Sequence, residues 1–222
     1  MELLFLLFCR NNLDFSIPDF QYYSSIGLSA LDATFSARTK YSSVINVVHR
    51  FCEHYDLPYG LDGNVPEVVS QIPVSQLLDL LQGVTPAELA DIVHNHSQTG
   101  GRLKASLFLD ALNTLQRFGI ENYQDFQKQM NNLELEAALS ALQGMGEATL
   151  SYFYMLSGDR GDVKVDRHIR AFTSTATGVP NLTVDQIKRL FRYAAQEMTA
   201  NDHLGMTARQ LDHIVWVYQR NL

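Results

Sequence analysis

Two short stretches of this 222-residue chain hold residue types and spacings from which chemistry can be built. The first is Leu142-Gln143-Gly144-Met145-Gly146, which links a helical pattern from Leu133 to Ala141 with another from Glu147 through Leu156. Glycines in such a link permit positive φ and let another backbone approach closely. The amides of the link and of the second helix's first turn then point outward as unpaired donors, a ready phosphate site. The side chains of the link are uncharged, so its grip on a nucleic-acid strand would be made by main chain, without reading sequence. The second stretch is Val163-Lys164-Val165-Asp166-Arg167-His168-Ile169. Read alone, Asp166 is the N-cap of a helix that starts at Arg167.

Charge is distributed in keeping with this. Between Gly158 and Arg192 stand seven basic residues (Arg160, Lys164, Arg167, Arg170, Lys188, Arg189, Arg192) and four acidic ones, a net of +3 in a chain of −7. The rest of the chain carries −10. A blanket polycation is excluded, whereas one positive segment can hold a phosphate backbone that the remainder repels. Solvated faces of ordinary helices account equally well for Lys188 and Arg192, which sit opposite an apolar stripe. Two cysteines, Cys9 and Cys52, are too few for a disulfide framework, an all-cysteine zinc site or a four-cysteine iron–sulfur cluster. They point to a reducing compartment. His94 and His96 lack the carboxylate or cysteine spacing that would complete a metal site and read as loop residues, so no metal is expected there.

The elements that must position these residues are helices nearly throughout. Apolar residues step by three and four through Val184, Ile187, Phe191, Ala194 and Met198, through Leu103, Leu107, Ala111, Leu115 and Phe118, and through Val44, Val48, Phe51 and Tyr55. No sustained alternation of period two and no internal repeat is visible. Thr85-Pro86-Ala87-Glu88 is a capping box with proline at the first helical position, and Thr183/Gln186 and Thr207/Gln210 repeat the hydroxyl-to-N3 spacing. Gly83 and Gly119 stand where left-handed C-caps would end the preceding helices. The pattern predicts an all-α chain of about ten helices. With 46% apolar and 18% charged residues, a sizeable core is available. Residues 56–73, with Pro58, Pro66, Pro73, Gly60 and Gly63, read as a long surface connection and a domain division. The apolar run from Leu3 to Cys9 is too short to span a bilayer and lacks a basic leader, so a buried N-terminal segment is expected.

With these residues in place, the chain resembles the helix-hairpin-helix DNA glycosylase superfamily, the endonuclease III-like proteins. The family pattern is L-P-G-V/I-G in the hairpin, a helix of roughly ten residues, then V-D-x-H-V/I. Here Leu142, Gly144, Met145 and Gly146 answer the first part, and Val165, Asp166, His168 and Ile169 the second, in the same order and separation. The resemblance covers about Val74 to the C-terminus, most specifically at the hairpin. It implies an enzyme that extrudes a nucleotide from double-stranded DNA and cleaves the bond between a damaged or mispaired base and its deoxyribose. Asp166 matches the family's aspartate, whose ionised carboxylate stabilises the positive charge that develops on the sugar.

The resemblance also assigns DNA-backbone binding to Gly144, Met145, Gly146, Glu147, Ala148, Lys164 and Arg167, with a monovalent cation at the carbonyls of Leu142 and Gly144. It places a lesion-side loop around residues 94–105, where Gln98 or Arg102 would be the wedge and Lys104 an exposed lysine. Bifunctional members carry a lysine two residues past the second hairpin glycine. That position is Ala148, so hydrolysis without strand cleavage is expected unless Lys164 or Lys104 substitutes. Gln143 stands where the family has proline, at some cost in rigidity, and the family's cluster cysteines are missing. Tyr152, Phe153 and Tyr154 after the hairpin, and Trp216 beside Leu211, Ile214, Val215 and Tyr218, read as packing.

The expectation is therefore an all-α, two-lobed helical fold of DNA glycosylase type. Residues 72–157 would form a central barrel lobe with the helix-hairpin-helix at 133–157, and residues 1–71 and 158–222 a discontinuous second lobe, with the cleft and Asp166 between them. A cytoplasmic, monomeric protein is expected, nucleoid-associated in a bacterium, with no cofactor and no membrane partner. Two alternatives remain: a catalytically inactive hairpin protein that binds damaged or bent DNA, and a helical interaction protein unrelated to DNA.

Overall fold

The computed structural model describes residues 1–18, 21–60 and 63–222. Twelve α-helices, one 3-10 turn and a single two-stranded antiparallel hairpin account for its regular structure among these residues. The helix count exceeds the ten or so expected, and the helices Val74–Leu80, of seven residues, and Tyr123–Lys128, of six, are too short to show a period. None of the helices is long and apolar enough to cross a membrane.

The chain divides into two units, Gln21–Gly158 and a discontinuous one made of Met1–Phe20 with Asp159–Leu222. Residues 21–71, expected with the termini, belong instead with 72–157. The proline- and glycine-rich stretch is a seam within that unit: Ser24 N donates to Tyr59 O (3.2 Å) and Ile72 N to Ser24 O (3.0 Å). Leu61 and Asp62 of that stretch lie outside the described residues.

The contiguous unit is organised around α2 (Ile26–Ser36), whose residues 26–35 are all buried. A helix apolar all round belongs in the centre of a bundle. Helices α3 (Tyr41–His54), α6 (Lys104–Arg117) and α9 (Glu147–Leu156) pack on it. Its buried polar side chains reach partners inside: Tyr23 OH donates to Asp32 Oδ2 (2.6 Å), and Ser29 Oγ bonds Tyr123 OH (2.8 Å). The expected stripe on α6 is the buried one, with Leu107, Ala111 and Leu115 inside, and Tyr152, Phe153 and Tyr154 on α9 are core. The smaller helices α4 (Val74–Leu80), α5 (Pro86–Ile92), α7 (Tyr123–Lys128) and α8 (Leu133–Ser140) complete the unit. Thr85 and Glu88 form the reciprocal capping box at the start of α5.

Lys104 corrects the sequence reading. It is the first residue of α6 and only 2% exposed. Its Nζ donates to Phe35 O (3.0 Å), Ala37 O (2.6 Å) and Thr39 Oγ1 (2.5 Å), at the end of α2. The last carbonyls of a helix have no partner within it and carry partial negative charge, so an ammonium there satisfies both needs at once. Lys104 is thereby removed from the lesion-side loop and from any role as an exposed amine.

The discontinuous unit gathers α1 (Glu2–Asn12), α10 (Arg167–Thr177), α11 (Val184–Asp202) and α12 (Ala208–Arg220). Phe5, Leu6 and Cys9 of the N-terminal run are buried as expected, whereas Leu3, Leu4 and Leu7 on the other side of α1 are exposed. Phe5 packs on Phe172 and Phe191, with ring centroids 5.9 and 5.1 Å apart. Arg10 holds Asp202 through two hydrogen bonds, 2.8 and 3.0 Å. Thr183 and Gln186 cap α11 reciprocally, while Thr207 caps α12 by accepting from the Gln210 amide. Cys9 and Cys52 are free thiols, and burial pushes Cys52 up to about 11.

Because the buried Lys104 ammonium is the donor for three oxygens at the end of α2, Lys104→Met, which keeps the aliphatic stem, should cost about 2–3 kcal/mol. Urea unfolding checks this; a loss no larger than that of an exposed lysine would remove Lys104 from the end of α2.

Candidate functional site

The residues singled out by the sequence fall into two arrays, one in each unit. In the contiguous unit, Asn132 caps α8 by accepting from the amides of Glu134 and Leu135, and α9 starts after a tight link. Met145 N donates to Leu142 O (2.9 Å) and Gly146 N to Gly144 O (3.1 Å). The Met145 side chain packs with Leu107 and Ala111. Met145 and Gly146, expected to bind a DNA backbone, thus have their amides engaged within the link. The uncapped donors are those of Glu147 and Ala148 in the first turn of α9, whose N-cap Gly146 offers no side chain. The carbonyls named for a cation already accept, Leu142 O from Met145 N and Gly144 O from Gly146 N and from Thr99 Oγ1 (3.3 Å).

The two link glycines differ in kind. Gly144 has φ +98°, and a Cβ there would stand 2.7 Å from Thr99 Cγ2 and 3.1 Å from Thr99 O. Gly146 has φ −79° and nothing within 4 Å of where a Cβ would lie. Neither conformation nor internal packing asks for glycine at 146; the space beside it is open.

The lesion-side segment is more ordered than its loop reading. Gln98–Thr99 (β1) pairs antiparallel with Arg102–Leu103 (β2), through a turn whose central residues Gly100 and Gly101 both have positive φ. That combination is the type I′ hairpin turn, and the Gly-Gly pair was its visible signal. The turn lies against the α8–α9 link: a Cβ on Gly100 would be 2.8 Å from Gly144 N, and Gln143 Nε2 donates to Gly100 O (2.7 Å). Gln143, read as a loss of rigidity relative to proline, is a bridge between two glycine turns. Gln98 is exposed, whereas Arg102 pairs with Asp110 at 2.5 Å. His96 bonds Asp91 at 2.8 Å, a carboxylate partner one turn upstream that the sequence reading passed over.

In the discontinuous unit, Val163 and Val165 are buried and Lys164 and Asp166 alternate with them, a short extended segment feeding α10. Asp166 is the N-cap: its Oδ1 accepts from His168 N (2.8 Å) and Ile169 N (3.1 Å). Arg167 is exposed. Several basic residues of the positive segment have structural partners. Lys188 pairs with Asp162 (2.7 Å), Arg192 Nε donates to Gly161 O (2.9 Å), and Arg170 to Leu182 O (3.2 Å). Lys188 and Arg192 therefore brace the 161–162 turn instead of forming a free helix face.

One residue was missed entirely. Asp212 of α12 is 4% exposed, and its Oδ1 accepts from Lys164 N at 3.1 Å. Burial first, then the neighbouring Asp166 charge, hold its carboxyl well above the usual carboxylate range, with Lys164 opposing. The available signal was a carboxylate at 212 on the helical face shared by Ala208 and Val215.

Residues 8–220 match the family described as "Domain of unknown function (DUF8548)". The chain belongs to this family. No curated protein sequence matches it. Among solved structures, it is similar to the crystal structure of the Helicobacter pylori 3-methyladenine DNA glycosylase (MagIII) bound to 1,N6-ethenoadenine. The TM-score is 0.60 at 16% identity, covering 98% of this chain and 94% of that one. The DUF8548 chain thus has an all-α fold of DNA glycosylase type, as its sequence led one to expect.

Two outcomes follow from this geometry. Gly144→Ala should lower stability by about 1–3 kcal/mol from backbone strain alone, whereas Gly146→Ala should cost under about 1 kcal/mol; equal losses in urea would erase the distinction drawn between them. Asp212 stays protonated in the folded chain to higher pH than in the unfolded one. The stability it lends is complete below the ordinary carboxylate range and is lost as pH rises toward its raised value. Asp212→Asn should flatten stability against pH above about 4 relative to wild type; superimposable curves would contradict the shift.

Proposed function

We propose that this protein is a DNA glycosylase of base-excision repair. It hydrolyses the N-glycosidic bond of a damaged or mispaired base flipped out of double-stranded DNA, without cutting the strand. One observation carries the reading: in a fold similar over nearly its whole length to that of a DNA glycosylase, Asp166 Oδ1 is fixed by hydrogen bonds from two backbone amides, and its Oδ2 takes no part in the cap. A carboxylate held this firmly beside C1′ needs no reorganisation when positive charge develops on the sugar. The C1′–N bond breaks with its electron pair leaving on the base, which departs neutral if it was cationic and otherwise takes up a proton from solvent; water adds to C1′, and the water's proton passes to the carboxylate or to solvent. Free base and an abasic strand result.

The backbone grip is assigned to the uncapped amides of Glu147 and Ala148, with the open space at Gly146 letting a strand approach and Lys164 and Arg167 near Asp166 adding charge. Gln98, exposed at the start of the β-turn, is the better candidate for the wedge, since Arg102 is paired. Ala148 offers no amine for Schiff-base chemistry. The solved relative's name and bound ligand make alkylated and etheno adenines the first substrates to try.

The decisive experiment is a panel of duplexes bearing alkylated, etheno, oxidised, deaminated or mismatched bases, scored for abasic sites with and without alkali. Wild type should yield strand breaks only after alkali. Asp166→Asn should lower turnover on the order of 100- to 1,000-fold while keeping affinity for the duplex. Binding without base release on any duplex would make this a non-catalytic DNA-binding protein, and no binding even at low salt would remove DNA altogether.

A further inference from the structure

We infer that Asp212 is a positioning residue for Asp166, holding from inside the discontinuous unit the main chain that presents the candidate catalytic carboxylate. The inference rests on the role proposed for Asp166. Its basis is a continuous run of hydrogen bonds. Asp212 Oδ1 accepts from Lys164 N (3.1 Å), Lys164 O accepts from Asp166 N (2.7 Å), and Asp166 Oδ1 accepts from the amides of His168 and Ile169. Every member of the run except Asp212 lies within residues 164–169; Asp212 enters from 48 positions away and ties the segment to α12. The side chains of Val163 and Val165 anchor the segment in the core, but apolar packing alone leaves an extended strand free to slide.

A carboxyl among the buried residues of α12, which are Ala208, Arg209, Leu211, Ile214 and Val215, is costly to bury unless it is bonded, and its bond to the Lys164 amide is the one that reaches the segment carrying Asp166. The groups that face it are Asp166 and Lys164 from the segment entering α10, and Asp162 from the preceding turn, itself paired with Lys188 of α11. Arg209 and His213 flank it on α12, and His168 of α10 meets the Trp216 ring one turn further on. Burial and the neighbouring Asp166 charge push the Asp212 carboxyl toward its neutral form, whose oxygen still accepts the hydrogen bond from the Lys164 amide. An asparagine supplies the same neutral oxygen, whereas an isosteric leucine supplies none.

The test compares Asp212→Asn and Asp212→Leu in the full chain. Base release is measured under saturating enzyme, binding on a duplex holding an abasic analogue, and hydrogen exchange at the amides of His168 and Ile169. Asp212→Leu should release base on the order of 100-fold more slowly at unchanged duplex affinity, with faster exchange at both amides. Asp212→Asn should restore rate to within a few fold and restore protection. Equal losses in the two variants would overturn the inference, because the ionisable group itself would then be needed; so would wild-type rate and exchange in the leucine variant. Should the leucine variant not fold, Lys164→Pro removes the same bond from the donor side, and unchanged exchange there would overturn the inference equally. If wild type releases no base from any duplex, the glycosylase reading fails while the exchange measurements still decide what Asp212 does.

Discussion

The N-terminus of α10 is where structure and proposed chemistry constrain each other most tightly. A helix leaves its first amides without partners, and here two of them close on one oxygen of Asp166. The same bonds that start the helix immobilise the carboxylate. The capping and catalytic readings of this residue are therefore one arrangement described from two sides. The segment carrying it is held by two buried valines and by the hydrogen bond from Lys164 N to the Asp212 carboxyl.

In the contiguous unit the corresponding constraint is the burial of α2 on all sides. A central helix must have its polar groups satisfied by neighbours, and its last carbonyls are met by the Lys104 ammonium. Lys104 opens α6, directly after β2, so the β-turn is anchored at its base to the middle of the bundle. At its tip the turn meets the α8–α9 link, glycine against glycine, with Gln143 spanning the two. The two loops proposed to contact DNA thus brace each other.

What the sequence revealed was local in origin. The capping boxes at Thr85 and Thr183, the apolar stripes of α6 and α11 and the glycine link all depend on residues within one or two turns of each other. Lys104 was misread because its oxygen partners lie 65 to 69 positions upstream, while Gly100 and Gly101 shortly before it suggest a loop. Asp212 was missed for the same reason, its partner being 48 positions away. The seam between units was misplaced because proline and glycine also serve a stretch that folds back onto its own unit. Lys188 and Arg192 were read as charge on helix faces, where tertiary contacts make them braces of a turn.

The discontinuous arrangement bears on how the molecule is made. Helix α1 is made before the partners it needs: Phe172 and Phe191, against which Phe5 packs, follow Phe5 by 167 and 186 residues. The contiguous unit can complete its bundle while synthesis continues. During that interval both sides of α1 present leucine and phenylalanine to solvent, a natural foothold for chaperones that shield nascent chains until translation has passed α11.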